Sequence, residues 1–383
     1  MVWDLVVIGA GPAGAATALG ALAAKPGMSV LLLDRHEFPR DKACGDGIAP
    51  QVFDLLAEVG VTGLVDDRTP IRRLSLQRGA LGVDRLMARP AYVVPRTVFD
   101  HRLVEAAQEA GAVLRKQRVG RVAPGTASVL VDDVEARMVV GADGAYSLVR
   151  GALGLKAGPT ALALRGYAPT PENRAGQQVI VFGTARQPSY AWSFDRGDGW
   201  SNIGYGEQLR AKQEHPTRAG LLQALDELLP EASSGAIDWR GHHLPLSSWS
   251  WRPEPGPVML VGDAAGLINP MTGEGIYYAV ATGIFAGRAV AGALGRDSRD
   301  AGSEYGQAVK TLLGSHFRHT ALVARLTRSG RVLDAGIRAA AGDQGVFDNL
   351  VDIGLADGVL RPGSLRRVAR QVLRPVGRDA ALP

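Results

Sequence analysis

The chain has 383 residues, 46% of them hydrophobic, a formal net charge of +5 and a single cysteine, Cys44. One thiol excludes an intrachain disulfide and any zinc site built on cysteines, and makes a reducing cytoplasm the expected compartment. The mild basicity carries no stripe of cations interleaved with aromatics, so no nucleic-acid partner is expected. The length gives room for two or three domains with their own cores.

Residues 2–8 form an apolar run of strand length, 12–24 an Ala-rich helix, and 29–33 a second apolar run ending at Asp34. Gly9, Gly11 and Gly14 stand between the first two as G-x-G-x-x-G, with Pro12 and Ala13 opening the helix. Such a turn lets a pyrophosphate approach the free amides of a helix N-terminus, and an acid ending the next strand accepts from ribose hydroxyls. An acid rather than an arginine at position 34 disfavours a 2′-phosphate. Residues 5–24 are uncharged over a membrane-spanning length, but their glycines and proline divide them into strand, turn and helix. With no basic n-region and an apolar strand starting almost at Met1, no signal peptide is expected.

Helices are expected over residues 50–59 and 96–110, the latter with Phe99, Leu103, Ala106 and Ala107 on one face. Residues 129–131 and 134–140 read as a strand pair around Asp132-Asp133, followed by Asp143-Gly144 at a strand end. Residues 177–206 hold alternating β-rich runs separated by turn signals at 187–188 and 196–199, an antiparallel meander. In its middle run Tyr190 and Trp192 share one face, as core packing or as the aromatic wall of an apolar pocket. A helix over 217–229 ends at Pro230. Residues 258–261 form another buried strand, with Asp263 just past its end. The turn Thr272-Gly273-Glu274-Gly275 then opens a helical pattern that runs to the C-terminus.

Nucleotide-site motifs at both ends of the chain imply a discontinuous binding domain. The expected organisation is α/β, with residues 1–75, 93–158 and 256–298 in a Rossmann-like domain. Residues 76–92 and 159–255 would form an antiparallel β-sheet substrate domain, and 299–383 a helical region. His316 and His319, at helical i, i+3 spacing, have no Glu or Cys nearby and read as a polar helix face. His242-His243 reads as polar surface too, and no metal site is expected. Residues 365–376 alternate Leu365, Val368, Ala369, Val372, Leu373 and Val376 with Arg366, Arg367, Arg370 and Arg374. That helix packs on the protein itself in the preferred reading and lies peripherally on a membrane in the other.

The three motifs at 9–14, 139–150 and 262–278, in this order, resemble the FAD-dependent oxidoreductases of the para-hydroxybenzoate hydroxylase fold. FPRDKACGDGI at 38–48, PSYAWSF at 188–194 and TGEGIYY at 272–278 narrow the resemblance to the geranylgeranyl reductase family. The resemblance implies FAD held by Gly9, Gly11, Pro12, Ala13, Gly14, Asp34 and Arg35. It also implies contacts from Cys44, Gly45, Asp46 and Gly47, from Arg96, from Val119 near the adenine, and from Asp143 and Gly144. Asp263 would anchor the ribityl chain, with Gly273, Gly275 and Ile276 at the flavin ring. A helix N-terminus there favours an anionic reduced flavin by roughly 1–2 kcal/mol, on the order of 20–40 mV. The catalytic residues implied are Cys44, Tyr190, Trp192 and Glu274, with Cys44, Tyr190 and Glu274 as unranked proton donors.

The implied reaction is hydride transfer from flavin N5 to a carbon–carbon double bond of an isoprenoid or other hydrophobic substrate. No second G-x-G-x-x-G is present, so electrons are expected from transiently bound NAD(P)H or a reduced protein, and a monomer is slightly favoured. The competing readings are a flavin monooxygenase or halogenase and a flavin-bound electron carrier. Hydroxylases of this fold usually carry His where Gly266 stands, and the halogenase Trp-x-Trp-x-Ile-Pro motif is not found. Asp195 replaces the family's proline after Phe194, and an altered cavity end is expected from it.

Overall fold

The computed structural model describes residues 1–125, 128–183, 187–210, 215–248 and 255–373. The chain opens with β1 (Val2–Ile8), α1 (Pro12–Ala24) and β2 (Val30–Asp34), then β3 (Gly47–Ile48), α2 (Pro50–Ala57), β4 (Ile71–Arg78) and β5 (Leu81–Val93). It continues through α3 (Arg96–Glu109), β6 (Val113–Lys116), β7 (Val122–Pro124), β8 (Val129–Val131), β9 (Val134–Gly141) and α4 (Leu148–Ala152). Next come β10 (Thr160–Pro169), β11 (Gln177–Phe182), β12 (Ser189–Asp195), β13 (Trp200–Gln208), α5 (Arg218–Leu228) and β14 (Ile237–Pro245). β15 (Val258–Leu260), α6 (Ile276–Ala293), α7 (Arg299–Leu326), α8 (Gly330–Gly342), α9 (Gln344–Leu355) and α10 (Pro362–Leu373) complete it.

One sheet runs β6–β2–β1–β9–β8–β7, with β15 beside β9. The β6–β2, β2–β1, β1–β9 and β9–β15 pairings are parallel and β9–β8–β7 antiparallel, so the apolar residues of β1 and β2 are buried on both faces. α1 and α6 cover one face. They touch backbone to backbone, because a Cβ on Gly283 would sit 2.4 Å from the Ala13 carbonyl oxygen, and one on Gly287 2.2 Å from that of Thr17. α6 is apolar enough to span a membrane, yet 83% of it is buried inside the protein.

The second sheet runs β14–β10–β13–β12–β11–β4–β5–β3. The meander β11–β12–β13 is antiparallel as the sequence implies, but β4 pairs with β11 in parallel. β4 lies wholly in this sheet, so the expected boundary after residue 75 falls inside a strand. The hairpin register Ser75↔Asp84 ties β4 to β5 and carries residues 71–75 into the second layer.

The C-terminal helices extend the second layer's core. Ile337, Ala340, Val346 and Phe347 pack on Leu74, Val83 and Met87. α10 adds Val368 to this cluster, while Leu365 and Leu373 remain 50% and 82% exposed. Arg374 and Val376 lie outside the described residues. His316 is not on a polar face. It is fully buried on α7, with Nε2 2.7 Å from the Tyr278 hydroxyl and Nδ1 2.6 Å from the Gly358 carbonyl oxygen.

Candidate active site

A cleft of about 880 Å³ runs between the two sheets. Its nucleotide end is built by the turn after β1. Gly9 has φ +101°, where a side chain would drive a Cβ to 2.3 Å from the Ala142 carbonyl oxygen. Gly9, Gly11, Pro12 and Ala13 line the cleft. Gly14 does not. A Cβ there would meet the Gly9 carbonyl oxygen at 1.8 Å, so this glycine serves the contact between helix and turn. Asp34 and Arg35 line the same end, and the Asp34 carboxylate accepts from the amides of Ala10 and His36, both at 2.9 Å. Val119 borders the cleft beside Arg118.

Arg96 and Arg40 share one carboxylate. Arg96 is buried and donates to both oxygens of Asp100 at 2.5 and 2.7 Å, while Arg40 meets Asp100 at 3.0 Å. Arg40 also lies against Gly11, so the pair brings positive charge to the glycine turn, where it would suit a pyrophosphate. Asp143 accepts from Leu148 and Val149 amides through Oδ2, which caps α4, while its Oδ1 is buried without a partner beside the cleft. An orphaned acceptor there fits a hydroxyl donor from a bound nucleotide.

Further along, Asp263 follows β15 on a short 3₁₀ turn. Burial opposes its charge, yet the Lys42 ammonium 2.8 Å away holds its carboxyl below the usual range. His242 on β14 faces the same spot. Burial and then Lys42 push its imidazole down to about 4, and its Nε2 is buried without a partner. Lys42 drew no signal in the sequence, and His242, expected there on a polar surface, instead lines the cleft. The available signal was the alternation of Arg240, His242 and Leu244, all three of which line the cleft.

The opposite wall is aromatic. Tyr190, Trp192 and Phe194 occupy the cleft face of β12, with ring centroids 5.9 and 6.4 Å apart along the strand. Facing them is the loop Cys44-Gly45-Asp46-Gly47, where a Cβ on Gly45 would be 3.5 Å from the Phe194 ring. Burial pushes the Cys44 thiol up to about 11 and the Asp46 carboxyl up to about 6, the latter against donors from Tyr167 and Asn202. The turn before α6 brings Gly273, Glu274, Gly275 and Ile276 to the cleft. Burial pushes Glu274 up to about 7, opposed by the amides of Tyr277 and Ile276. The Tyr277 amide donates to its Oε1 at 2.9 Å, so Glu274 itself occupies part of the helix N-terminus expected to face the flavin.

The C-terminal helices lock this turn, a role the sequence did not reveal. The Thr272 hydroxyl donates to the Gly354 carbonyl at 2.7 Å, Asn269 donates to the Ile353 carbonyl at 2.9 Å, and Leu355 lines the cleft. Asp195 lies on the far face of β12 from the aromatic wall. It accepts from the amides of Gly176 at 2.6 Å and Gly197 at 2.9 Å and from the Thr170 hydroxyl at 3.2 Å, and does not line the cleft. Asp195, where the family has proline, therefore closes a turn and takes no part in the cleft wall. Among the described residues no His, Cys, Asp and Glu cluster could hold a metal.

The glycine turn after β1, the acid ending β2 and the cleft beside them are suited to hold a dinucleotide. Residues 3–305 match the FAD binding domain family. The chain is 32% identical over 360 residues to a menaquinone reductase of Mycolicibacterium smegmatis, covering 84% of this chain and 83% of that protein. It is 32% identical over 325 residues to digeranylgeranylglycerophospholipid reductase 1 of Methanopyrus kandleri, covering 79% and 84%. A geranylgeranyl bacteriochlorophyll reductase-like structure from Thermoplasma acidophilum superposes with a TM-score of 0.75 at 21% identity, over 98% of this chain and 97% of that one. The flavin-dependent brominase Bmp2 shares the fold at a TM-score of 0.66 and 17% identity, over 88% and 93%. The chain belongs to the FAD-binding-domain family and, within it, to the geranylgeranyl reductase family of FAD-dependent oxidoreductases.

Proposed function

We propose that the protein reduces carbon–carbon double bonds in the isoprenoid chain of a hydrophobic substrate, with a polyprenyl quinone the first class to test. One observation carries this reading: an apolar aromatic wall and a carboxyl tuned to about 7 line one cleft, adjoining where Tyr190 bonds the Thr272 carbonyl, beside the residues suited to hold FAD. Relatives named menaquinone reductase and digeranylgeranylglycerophospholipid reductase support it. Bound FAD, once reduced, supplies the hydride. Tyr190, Trp192 and Phe194 seat the chain and exclude water.

Proton supply ranks the three donor candidates. Burial raises the Tyr190 hydroxyl far above its ordinary value and Cys44 to about 11, whereas Glu274 stands near neutrality. A general acid works best with a pKa near the working pH, so Glu274 holds the transferred proton. NAD(P)H or a reduced protein delivers electrons in this reading. A substrate of this kind resides in a membrane. Leu365, Val372 and Leu373, exposed on α10 beside Arg366 and Arg370, suit contact with an anionic lipid surface. Co-sedimentation with phosphatidylglycerol vesicles that survives Leu365→Glu/Leu373→Glu would defeat that contact.

The deciding experiment reduces the FAD-loaded enzyme anaerobically and then adds menaquinone or oxygen in separate mixing shots. Reoxidation by menaquinone without oxygen, with a saturated bond in the product, is the expected result. Reoxidation by oxygen alone, with oxygen or halogen entering a product, would replace the reading with a monooxygenase or halogenase.

A further inference from the structure

Asn202, on β13, is fully buried and lies behind the cleft rather than in it. Its amide joins two walls of the site. Oδ1 accepts from the Trp192 indole Nε1 at 2.8 Å, and Nδ2 donates to the Cys44 carbonyl oxygen at 2.8 Å and to Asp46 Oδ2 at 2.9 Å. The orientation of this amide is forced. An indole nitrogen only donates and a carbonyl only accepts, so the flipped amide would lose its bonds to both.

Both linked groups have little freedom of their own. The Trp192 indole is backed by Gly204, where a Cβ would come within 2.3 Å of its Cζ2, so the ring cannot retreat into the sheet. Asp46 holds φ 60°, an uncommon conformation for a residue with a side chain. The Tyr167 hydroxyl donates to the same Asp46 oxygen at 2.5 Å, and the buried Arg165 guanidinium stacks 4.5 Å over the Tyr167 ring. The Cys44–Gly47 loop and the aromatic wall, both of which line the cleft, are thus fastened to one side chain that does not line it.

We infer that Asn202 is a positioning residue that fixes the register between the Trp192 wall and the Cys44–Gly47 loop, and so between the seated chain and the cofactor. The inference rests on the proposed seating of a prenyl chain along Trp192. A satisfied core amide with no such role would affect only stability and FAD content. A positioning amide also affects how events in the pocket reach the flavin.

Asn202→Asp keeps the shape and the acceptor for Trp192 but replaces both loop donors with a carboxylate. Trp192→Phe leaves the loop bonds and removes the indole donor. The FAD-loaded enzyme is titrated with phytanol, a saturated prenyl alcohol, while tryptophan fluorescence reads binding and flavin absorbance reads the response. In the wild type, binding is expected to shift the flavin band. In Asn202→Asp, binding is retained, the flavin shift is lost, and kcat with menaquinone falls about 10²-fold at little change in KM, the scale expected for a misplacement of about 1 Å. Unchanged flavin response and kcat per bound FAD, with only a lower melting temperature, would overturn the inference.

If Asn202→Asp does not fold, Trp192→Phe decides, since an unaltered flavin response there also overturns it. If the wild-type flavin responds to no prenyl ligand and menaquinone does not reoxidise it, the substrate reading fails by itself. The Asn202 link is then judged on the ligand-free holoenzyme. Both variants must change the visible circular dichroism of the flavin in the same sense, and absent or opposite changes overturn it.

Discussion

Glu274 sits under opposed demands. Burial favours its neutral form, while the amides at the start of α6 favour the carboxylate, and the balance leaves it near 7. Glu274→Gln is expected to slow reoxidation of the reduced enzyme by menaquinone about 10²-fold at pH 6 with FAD content unchanged, in anaerobic stopped flow. The wild-type rate should fall as pH rises through about 7, where the proton is lost. Asp195 makes a different prediction. Asp195→Ala removes three hydrogen bonds to a carboxylate and should cost about 2–4 kcal/mol by urea denaturation, with KM unchanged because the side chain points away from the cleft. A raised KM would return this residue to the cavity. The side of β12 that Asp195 takes was legible in the sequence. Strand alternation puts residue 195 on the face opposite Tyr190 and Trp192.

At the scale of elements, α1 and α6 depend on bare backbone at their crossing. Gly287→Ala would force a methyl to 2.2 Å from the Thr17 carbonyl oxygen, and a loss of about 3 kcal/mol in thermal or chemical unfolding is expected, with FAD occupancy falling in step. An unchanged midpoint would mean that the helices can separate without cost. The βαβ start, the meander and α3 were readable from local pattern, because period, glycine and proline placement act within a few residues. The parallel pairing of β4 with β11 was not, since nothing within either strand records its neighbour. His316 shows the same limit. Helical spacing placed it on one face with His319, but the Tyr278 hydroxyl and Gly358 carbonyl that bury it come from distant segments.

Over the whole molecule, the cleft places two carboxyls with raised affinity for protons beside a histidine with lowered affinity. Glu274, ordinarily near 4.5, stands near 7 when folded, so its contribution to stability is full below its unfolded value and is lost as pH rises through about 7. Asp46 acts in the same direction up to about 6, and His242 acts oppositely, losing its contribution as pH falls towards about 4. The clean measurement is a difference. The stability of the FAD-free wild type relative to Glu274→Gln should decline between pH 5 and pH 7.5, by urea titration across pH. A flat difference would place Glu274 in a water-like environment.

The sequence by itself determined the α/β class, the dinucleotide turn, the family and a set of candidate site residues that, Gly14 apart, all border the cleft, since glycine turns, strand ends and helix starts are local. Only the tertiary structure decided what those residues do to one another. Lys42 reaches Asp263 across 221 positions, the C-terminal helices lock the Thr272 turn, and Asn202 ties Trp192 to a loop 156 positions away at Asp46. Burial and pairing set whether Glu274, Cys44 or Tyr190 can give up a proton, and both depend on which segments fold against them.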